Sequence, residues 1–339
     1  MRTRALALRI IRQFLRDKRT LALIFLAPLL ILTLLNFIFN GQPITPNIGT
    51  VQLPAPIIER LNGTDANVTT YTNQEEAKQA LEAGDLDAIL SLADGKPDLI
   101  LEGSDPSMNQ AILLRLQKVM QASTPTIQPN ITYLHGKEGM SSFDYFGPVL
   151  IGFFSFFFVF MIAGVSFLRE RTTGTLERLL ATPIRRSEVV GGYLLGFGIF
   201  TLLQATLITW FAIEVLGMYM VGNFGLVLLI NLLLTLTALT LGTLLSSFAS
   251  SEFQIIQFIP LVIVPQVFFS GLFNLDAMAP WLQKLSYIMP LYYGADAMRG
   301  IMIRGESIGD IQLDIYILLG FSIVFALLNI AALKKQRAI

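Results

Sequence analysis

The chain has 339 residues, of which 53% are hydrophobic and 14% are charged, and its 24 basic residues balance its 24 acidic ones. Soluble proteins carry about 25% charged residues, so this composition excludes a soluble globular protein, and its hydrophobicity excludes a disordered one. The zero net charge gives no indication of a nucleic-acid partner. With no cysteine and one histidine, the chain has no disulfide, thiolate metal site or His-based zinc motif.

Residues 1–19 have the pattern of an amphipathic helix that lies at the cytoplasmic surface of a membrane. Its apolar face and its basic face both repeat at helical spacing, and they consist of Leu8, Ile11 and Leu15 and of Arg9, Arg12 and Arg16, respectively. The pattern therefore predicts a cytoplasmic interfacial helix at the N-terminus.

Six apolar segments are each long enough to cross a bilayer as a helix, which takes about 20 residues. They are 20–39, 147–168, 189–216, 224–248, 253–275 and 315–333. Six buried helices of a soluble core would need an amphipathic covering layer, which this chain lacks. We therefore predict an all-α polytopic membrane protein with six transmembrane helices.

Residues 40–146 separate the first two apolar segments and have the composition of a folded domain. Strands are expected at 48–53, 68–71, 88–92 and 98–101, with a turn at Asp94 and Gly95. Helices are expected at 56–61, at 73–83 with Thr72 as the cap, and from Asp105 to about residue 122. The sequence predicts a small α/β domain inserted between transmembrane helices 1 and 2.

Lysine and arginine are distributed unequally between the segments that join the predicted spans. The two terminal tails and the loops after the second and fourth spans hold 15 of the 24 basic residues and only five acidic ones. An excess of Lys and Arg marks the cytoplasmic side of a membrane protein. We therefore expect a plasma-membrane protein with both termini in the cytoplasm and domain 40–146 outside it.

Loop 169–188 is the longest predicted cytoplasmic connection, and it contains a short helical pattern. Gly174 precedes the helix and Pro183 ends it, because the residue before a proline is disfavoured in the α conformation. The helix consists of Thr175, Leu176, Glu177, Arg178, Leu179 and Leu180, with the three leucines as an apolar face and the two charged residues beside it. The pattern fits either docking to a partner protein or lying on the lipid interface.

Four polar residues and one aromatic residue in the spans are candidates for a transport path or a gate. Glu214 is the one ionisable residue within a predicted span, and its place near the outer end favours snorkelling over a gate. Gln204, Asn231 and Gln257 would either hydrogen-bond neighbouring helices or line a path. Phe157 belongs to a phenylalanine-rich span, which fits either lipid contact or an aromatic route for apolar compounds.

The phosphate-binding motif G-x-x-x-x-G-K-[ST] does not occur in the chain. We therefore expect this chain to bind no ATP, no metal and no other cofactor. It is expected to be a transport subunit and not an enzyme, so that energy for transport would come from another protein.

Several motifs of the chain resemble those of the permease subunits of type-2 ABC exporters, the class that includes daunorubicin-type multidrug exporters. The longest is R-E-R-T-T-G-T-L-E-R-L-L-A-T-P-I-R-R-S-E at 169–188, followed by G-G-Y at 191–193. The others are L-S-S-F-A-S-S-E-F-Q at 245–254, A-P-W-L-Q-K-L-S-Y-I-M-P at 279–290 and A-M-R-G at 297–300. The order of the spans and the large insertion after the first also fit this family.

The resemblance implies that loop 169–188 is a coupling helix, whose residues 174–180 and Pro183 dock in a groove of a separate ATP-binding-cassette ATPase. That ATPase would bind ATP and Mg²⁺, and a transporter would contain two ATPase chains and two permease chains, identical or different. Residues 1–19 would be the connecting helix of the family, and 147–339 would hold the remaining spans, with re-entrant or surface helices on the outer side at 280–304.

The implied function is ATP-driven export of a hydrophobic or amphipathic compound, with drug or antibiotic efflux as the first expectation. Two alternatives remain open at this point. One is export of lipid, polysaccharide or sodium by a member of the same family. The other is a membrane receptor or scaffold that senses a ligand through domain 40–146.

Overall fold

The computed structural model describes residues 2–39, 45–64, 66–93, 96–102, 106–121, 136, 140–273, 275 and 278–335. The predicted turn at Asp94 and Gly95 and the predicted helix start at Asp105 lie outside these residues. The chain forms two compact units. One comprises Met1–Asn40 and Tyr133–Ile339, and the other comprises Gly41–Thr132.

The first unit is helical. Its helices are α1 (Arg2–Arg16), α2 (Lys18–Phe39), α6 (Ser142–Thr172), α7 (Thr175–Leu180), α8 (Arg186–Trp210), α9 (Phe224–Ser246), α10 (Glu252–Phe268), α11 (Pro280–Gln283), α12 (Pro290–Arg299) and α13 (Gln312–Lys335). A π-helical turn, Phe211–Val215, continues α8; a 3-10 helix, Lys284–Ile288, follows α11; and a second π-helical turn, Gly300–Arg304, follows α12.

Five helices in the described part of the chain are long and apolar enough to cross a membrane. They are Lys18–Phe39, Ser142–Thr172, Arg186–Val215, Phe224–Ser246 and Gln312–Leu333. The expected fifth span, 253–275, is the shorter α10, whose 17 residues extend about 26 Å against a hydrocarbon core of about 30 Å. Two prolines lie inside it, and the chain leaves the helix after Phe268 for a turn in which Gly271 has a φ of +80°.

Helix α6 contacts α2, α7, α8, α9, α10 and α12, and its most extensive packing is against α9. The two backbones approach closely at Gly242, where an added Cβ would lie 2.5 Å from the carbonyl oxygen of Phe160. Helix α13 packs on another side of α9 through small polar groups: Thr237 Oγ1 lies 2.8 Å from Ser322 Oγ, and Asn329 Nδ2 donates to the Thr240 carbonyl at 2.8 Å. Such residues hold helices together where hydrophobic burial supplies no driving force.

The second unit, within 41–132, is a small α/β fold. Its elements are β1 (Asn47–Val51), α3 (Ala55–Asn62), β2 (Asn67–Tyr71), α4 (Gln74–Glu82), β3 (Ala88–Ala93), β4 (Lys96–Leu101) and α5 (Pro106–Gln121). The strand order is β2-β1-β3-β4, in which β1 runs parallel to β2 and β3 while β4 runs antiparallel to β3. Helix α3 is the crossover between the parallel neighbours β1 and β2, and α4 connects β2 to β3 on the other side of β1.

Two hydrophobic cores belong to this sheet. Ile48, Leu61 and Ile112 lie in one core, while Val51 and Ile89 lie in the other. Since side chains alternate between the faces of a strand, Ile48 and Val51 on β1 point to opposite sides. The sheet is therefore covered on both faces, as its parallel part requires.

The predicted cap of α4 is wrong by one residue. Asn73 caps the helix, because its side-chain oxygen accepts a hydrogen bond from the Glu75 backbone N–H at 3.2 Å. Asn and Thr are both used at this position, so composition alone did not separate Asn73 from Thr72.

Candidate functional site

Helix α7 occupies the centre of the predicted coupling loop, with the predicted bounds. Gly174 precedes it with a φ of +71°, a left-handed conformation that glycine adopts without strain. Residues 169–172, which were expected in the loop, form the last turn of α6, so that only Thr173 and Gly174 separate the two helices.

The two faces of α7 differ from the expectation. Leu176 and Leu180 are buried in the hydrophobic core of this chain, at 1% and 7% exposure, and Leu179 packs against the same core. The leucines therefore fix α7 to its own membrane unit and do not form a free docking face. Glu177 and Arg178 are exposed and form the part of α7 that a partner can reach.

Arg169 and Arg171, at the end of α6, each bind a different part of the turn between α9 and α10. Arg169 Nε lies 3.3 Å from Glu252 Oε1 at the first residue of α10. The Arg171 guanidinium donates to the carbonyls of Ser246 and Ser247, at 2.9 and 2.7 Å, and also to that of Ala249. Ser246 is the last residue of α9 and the other two follow it, so none of these carbonyls has a donor within the helix. Arg171 thus caps α9.

Glu170, between the two arginines, is buried and faces α1 and α8. Its Oε2 accepts a hydrogen bond from Arg9 Nη2 at 2.7 Å and one from the Tyr193 hydroxyl at 3.3 Å. The Glu170 side chain is 7% exposed and that of Arg9 is 39% exposed, so the carboxylate depends on these two partners for solvation. The three residues 169–171 therefore join the base of α6 to α1, α8, α9 and α10.

Helix α1 packs closely against α8 at two glycines of α8. An added Cβ would lie 2.6 Å from Leu6 Cδ2 at Gly192 and 2.9 Å from Ile10 Cβ at Gly196. The face of α1 that packs here contains Leu6, Ala7, Ile10 and Phe14, while Leu8 and Leu15 of the predicted apolar face are exposed. Helix α1 thus has one apolar face for α8 and a second one that is free to contact lipid.

The N-terminal helix also contacts the candidate coupling loop directly. The Arg2 guanidinium donates to the carbonyl of Pro183, three residues after the end of α7. Through Arg2 and Arg9, α1 is bonded both to this loop and to the base of α6. These hydrogen bonds would therefore transmit a displacement of α7 to both α1 and α6.

The predicted path residues divide into buried and exposed groups. Gln204 is buried on α8, and Asn231 is buried on α9 where its Nδ2 donates to the Ala205 carbonyl at 3.3 Å and to Thr209 Oγ1 at 3.0 Å. Gln204 Nε2 and Asn231 Oδ1 are buried without a hydrogen-bond partner in the described structure. Glu214 is exposed in the π-helical turn that ends α8, and Gln257 is exposed on α10.

The fifth path candidate, Phe157, lies half-buried on α6 among other phenylalanines. Its ring stacks on Phe153 with centroids 6.0 Å apart and meets the edge of Phe158 at 5.1 Å. The structure thus brings Gln204 and Asn231 to the same helix pair and places Phe157, Glu214 and Gln257 elsewhere in the unit. A role of any of them in transport stays a prediction.

The sequence interpretation missed the roles of Arg9, Glu170, Arg171 and Tyr193. One signal could have found Glu170: it is a single acid between two arginines directly after a long apolar segment. Such an acid near the membrane is expected to find a cationic partner. Within the described residues, no group of three His, Asp or Glu side chains could hold a metal ion.

Comparison with known proteins identifies the family. A model of the ABC-2 family transporter proteins matches residues 18–331. The chain belongs to the ABC-2 transporter family. The motif resemblance is thereby confirmed, and the chain is a multi-pass permease component of an ABC transporter.

This ABC-2 permease is similar in sequence to several curated proteins, including the following three. It is 27% identical over 360 residues to ABC transporter G family member 20 of Dictyostelium discoideum, covering 96% of this chain and 49% of the relative. It is 20% identical over 368 residues to the probable multidrug ABC transporter permease YbhS of Escherichia coli (strain K12), covering 99% and 97%. It is 26% identical over 190 residues to the linearmycin resistance permease protein LnrN of Bacillus subtilis (strain 168), covering 55% and 48%. The ABC-2 permease therefore spans about half of the first relative and nearly all of the second.

Proposed function

We propose that this ABC-2 permease is driven by a separate ATPase that docks on α7 from the cytoplasm. The observation that carries the proposal is the arrangement of α7, whose leucines are bound to the membrane unit while Glu177 and Arg178 are exposed. A helix that is packed against its own protein on one face and exposes charges on the other can transmit the movement of a bound partner to the helices it packs against. ATP and Mg²⁺ would bind to the ATPase, since this chain has no phosphate-binding loop.

The proposed topology has six spans, with both termini and α7 in the cytoplasm and the unit within 41–132 outside. Five spans would be the five long apolar helices, and α10 would be the sixth. A helix of 17 residues can be accommodated by local thinning of the bilayer or by the turn that continues it. The concentration of Lys and Arg in the tails and in the loop after α6 supports this orientation.

The proposed assembly contains two copies of the ATPase and two permease chains, identical or different. The proposed direction is export, and the proposed cargo is a hydrophobic or amphipathic compound. Drug or antibiotic efflux is the first candidate, because two of the relatives are named as a probable multidrug permease and a linearmycin resistance permease. The near absence of charge in the apolar helices also disfavours a strongly polar cargo.

The test reverses the charge of Glu177 on α7. Glu177→Arg should weaken association with the ATPase by at least tenfold, because losing a bonded charge at an interface typically costs about 2–5 kcal/mol. ATP-dependent export from vesicles should be lost in parallel, while the protein still inserts into the membrane. The measurements are co-purification of the ATPase and export of a fluorescent amphiphile.

Glu76→Arg is the matched control, because Glu76 is an exposed acid on α4 in the other unit. It should leave both association and export unchanged. If Glu177→Arg also leaves both unchanged, α7 is not the docking element. If no ATPase co-purifies with the wild-type chain either, the interpretation as a receptor or scaffold is favoured.

A further inference from the structure

The sheet of the unit within 41–132 has two edges that differ in composition. The strand order β2-β1-β3-β4 places β2 at one edge and β4 at the other. The sequence of β4 is K-P-D-L-I-L, with a lysine, a proline and an aspartate in its first half. Such residues are common in edge strands, because they prevent a further strand from pairing there. The sequence of β2 is N-V-T-T-Y, which contains no charged residue and no proline, so β2 is an unprotected edge.

The register of β2 on β1 identifies which backbone groups of β2 point away from the sheet. The Asn67 N–H donates to the Pro46 carbonyl at 2.9 Å, so Asn67 and every second residue after it direct their N–H and C=O groups toward β1. Val68 and Thr70 therefore direct theirs outward. Within the part of the chain that the structure describes, no strand pairs with these four groups. Asn67, Thr69 and Thr70 are exposed, so a partner strand can reach the edge.

The outward groups of β2 are complementary to those of a second β2. In an antiparallel pair, opposite residues alternately exchange two hydrogen bonds and none. When Thr69 lies opposite Thr69 of a second copy, Val68 lies opposite Thr70, and Thr70 lies opposite Val68. Each of these two pairs exchanges two hydrogen bonds, which satisfies the outward N–H and C=O groups of Val68 and Thr70 in both copies. The two sheets of four strands then form one continuous sheet.

The charge of the unit also favours a second copy as the partner of this edge. Residues 41–132 contain 11 acidic and five basic residues, so two copies repel each other wherever their charged surfaces meet. Like charges directly opposite each other destabilise a strand pair, whereas Thr–Thr pairs stabilise it. Since β2 is uncharged, a second β2 meets no like charge along it and places Thr69 opposite Thr69. A basic peptide would find no acidic residue on this strand.

We infer that β2 pairs antiparallel with β2 of a second copy of this chain, in the register centred on Thr69. The inference rests on the proposed transporter with two permease chains, in the form in which the two are identical. Two chains held in one assembly present these edges to each other at an effective concentration in the millimolar range, so a short strand pair is sufficient for contact. The pairing joins the two chains through the units within 41–132.

The test introduces single cysteines into the full cysteine-free chain in membranes and measures disulfide-linked dimers after mild oxidation. In the inferred register, the two Cα atoms at position 69 lie about 4.5 Å apart, within the range that a disulfide spans, so Thr69→Cys should form the dimer. Asn67→Cys is the matched control, because Asn67 is exposed and lies on the same face of the same strand. Its two copies would be four residues apart along the strands, or about 13 Å, and should give on the order of tenfold less dimer. Similar yields from both variants would indicate random collision or another register, and would overturn the inference.

Two variants in the Thr69→Cys chain test the hydrogen bonds of the pair. Thr70→Pro removes an outward N–H and none of the backbone bonds to β1, and it should lower the dimer yield by at least about threefold. Thr70→Ser keeps the N–H and should leave the yield unchanged; equal yields from these two variants would contradict the inferred hydrogen bonds.

The absence of a dimer in Thr69→Cys also overturns the inference, and pairing of β2 with another protein or with another segment of its own chain would give that result. Co-purification of two differently tagged copies then separates the two proposals. If the copies co-purify without forming the disulfide, the assembly of two chains stands and only the contact at β2 fails. If the disulfide forms while ATP-dependent export is absent, the contact stands and the proposed export function fails.

Discussion

Arg9 Nη2 lies 2.7 Å from Glu170 Oε2, and the two residues are 161 positions apart in the chain. The pair is asymmetric, since the Glu170 side chain is 7% exposed and that of Arg9 is 39% exposed. The two possible deletions differ in whether the charge that remains can be hydrated. An unpaired Arg9 can be hydrated, whereas an unpaired Glu170 stays in the protein with only the Tyr193 hydroxyl beside it.

The first prediction uses this asymmetry. Arg9→Met should lower the free energy of unfolding by about 2–4 kcal/mol, because it leaves a buried carboxylate without its cation. Glu170→Gln should cost only about 1–2 kcal/mol, because the remaining Arg9 reaches solvent. Arg12→Met, at an exposed position of the same helix, should change stability by less than about 0.5 kcal/mol. Denaturant unfolding in detergent micelles measures all three, and equal losses for Arg9→Met and Glu170→Gln would contradict this account.

The second prediction concerns the cap on α9. Arg171→Lys keeps the charge but cannot reach the three carbonyls with a planar fork of donors, which Arg171 does at Ser246, Ser247 and Ala249. Amide hydrogen exchange in segment 247–251 should therefore rise about two- to tenfold. Arg178→Lys, on the exposed face of α7, provides the comparison and should leave that segment unchanged. Unchanged exchange in Arg171→Lys would mean that the cap contributes little.

The third prediction concerns the close crossing of α6 and α9. Gly242→Ala places a methyl group against the Phe160 backbone, which cannot rotate away, and should destabilise the protein by about 1–3 kcal/mol. Gly198→Ala, where nothing lies within 4 Å of the added Cβ, should be neutral or stabilising by up to about 1 kcal/mol through helix propensity. The two substitutions are chemically identical, so thermal unfolding of both variants isolates the crossing. Similar melting of the two would rule out a tight contact at Gly242.

The fourth prediction concerns orientation in the membrane. The chain has no cysteine, so single cysteines can be placed by Glu76→Cys on α4 and Ser187→Cys in the first turn of α8. Both positions are exposed. In intact cells, an impermeant thiol reagent should label the first and not the second. Labelling of both to the same extent would be incompatible with the proposed six-span topology.

The fifth prediction concerns the unit within 41–132. Residues 45–135 should fold alone as a soluble fragment, because the four-stranded sheet has a hydrophobic core on each face. The fragment should melt cooperatively by circular dichroism. Leu61→Ala, in one of the two cores, should lower its stability by about 2–5 kcal/mol. A fragment without a cooperative transition would mean that the unit needs the rest of the protein to fold.

Elements that depend on local signals were predicted from the sequence. Helix α7 is bounded by a left-handed Gly174 and by Pro183, both of which act within one turn of the chain. The length of α10 was not predicted, because 253–275 is uncharged throughout and hydrophobicity does not mark where an uncharged segment leaves its helix. Pro260 and Pro265, which lie inside α10, did not mark its end either.

The contacts at the base of α6 could not be predicted, because they join residues far apart in sequence. Glu170 was recognised as part of a motif, yet nothing local indicates that it binds Arg9 and Tyr193. The faces of α7 were misassigned for a related reason. A pattern of leucines shows that a face is apolar, but whether Leu176 and Leu180 meet a partner or their own chain is decided by packing.

The packing of α1 against α8 has a consequence for biosynthesis. Ile10 packs against Gly196, which is synthesised about 190 residues later, so at roughly 5–20 residues per second the helix waits on the order of 10–40 s for its binding surface. During that interval the apolar face that contains Leu6, Ile10 and Phe14 has no protein to cover it. The nascent helix must then lie on the lipid headgroups, where its arginines also belong. Helix α1 thus exchanges lipid for protein when α8 is inserted.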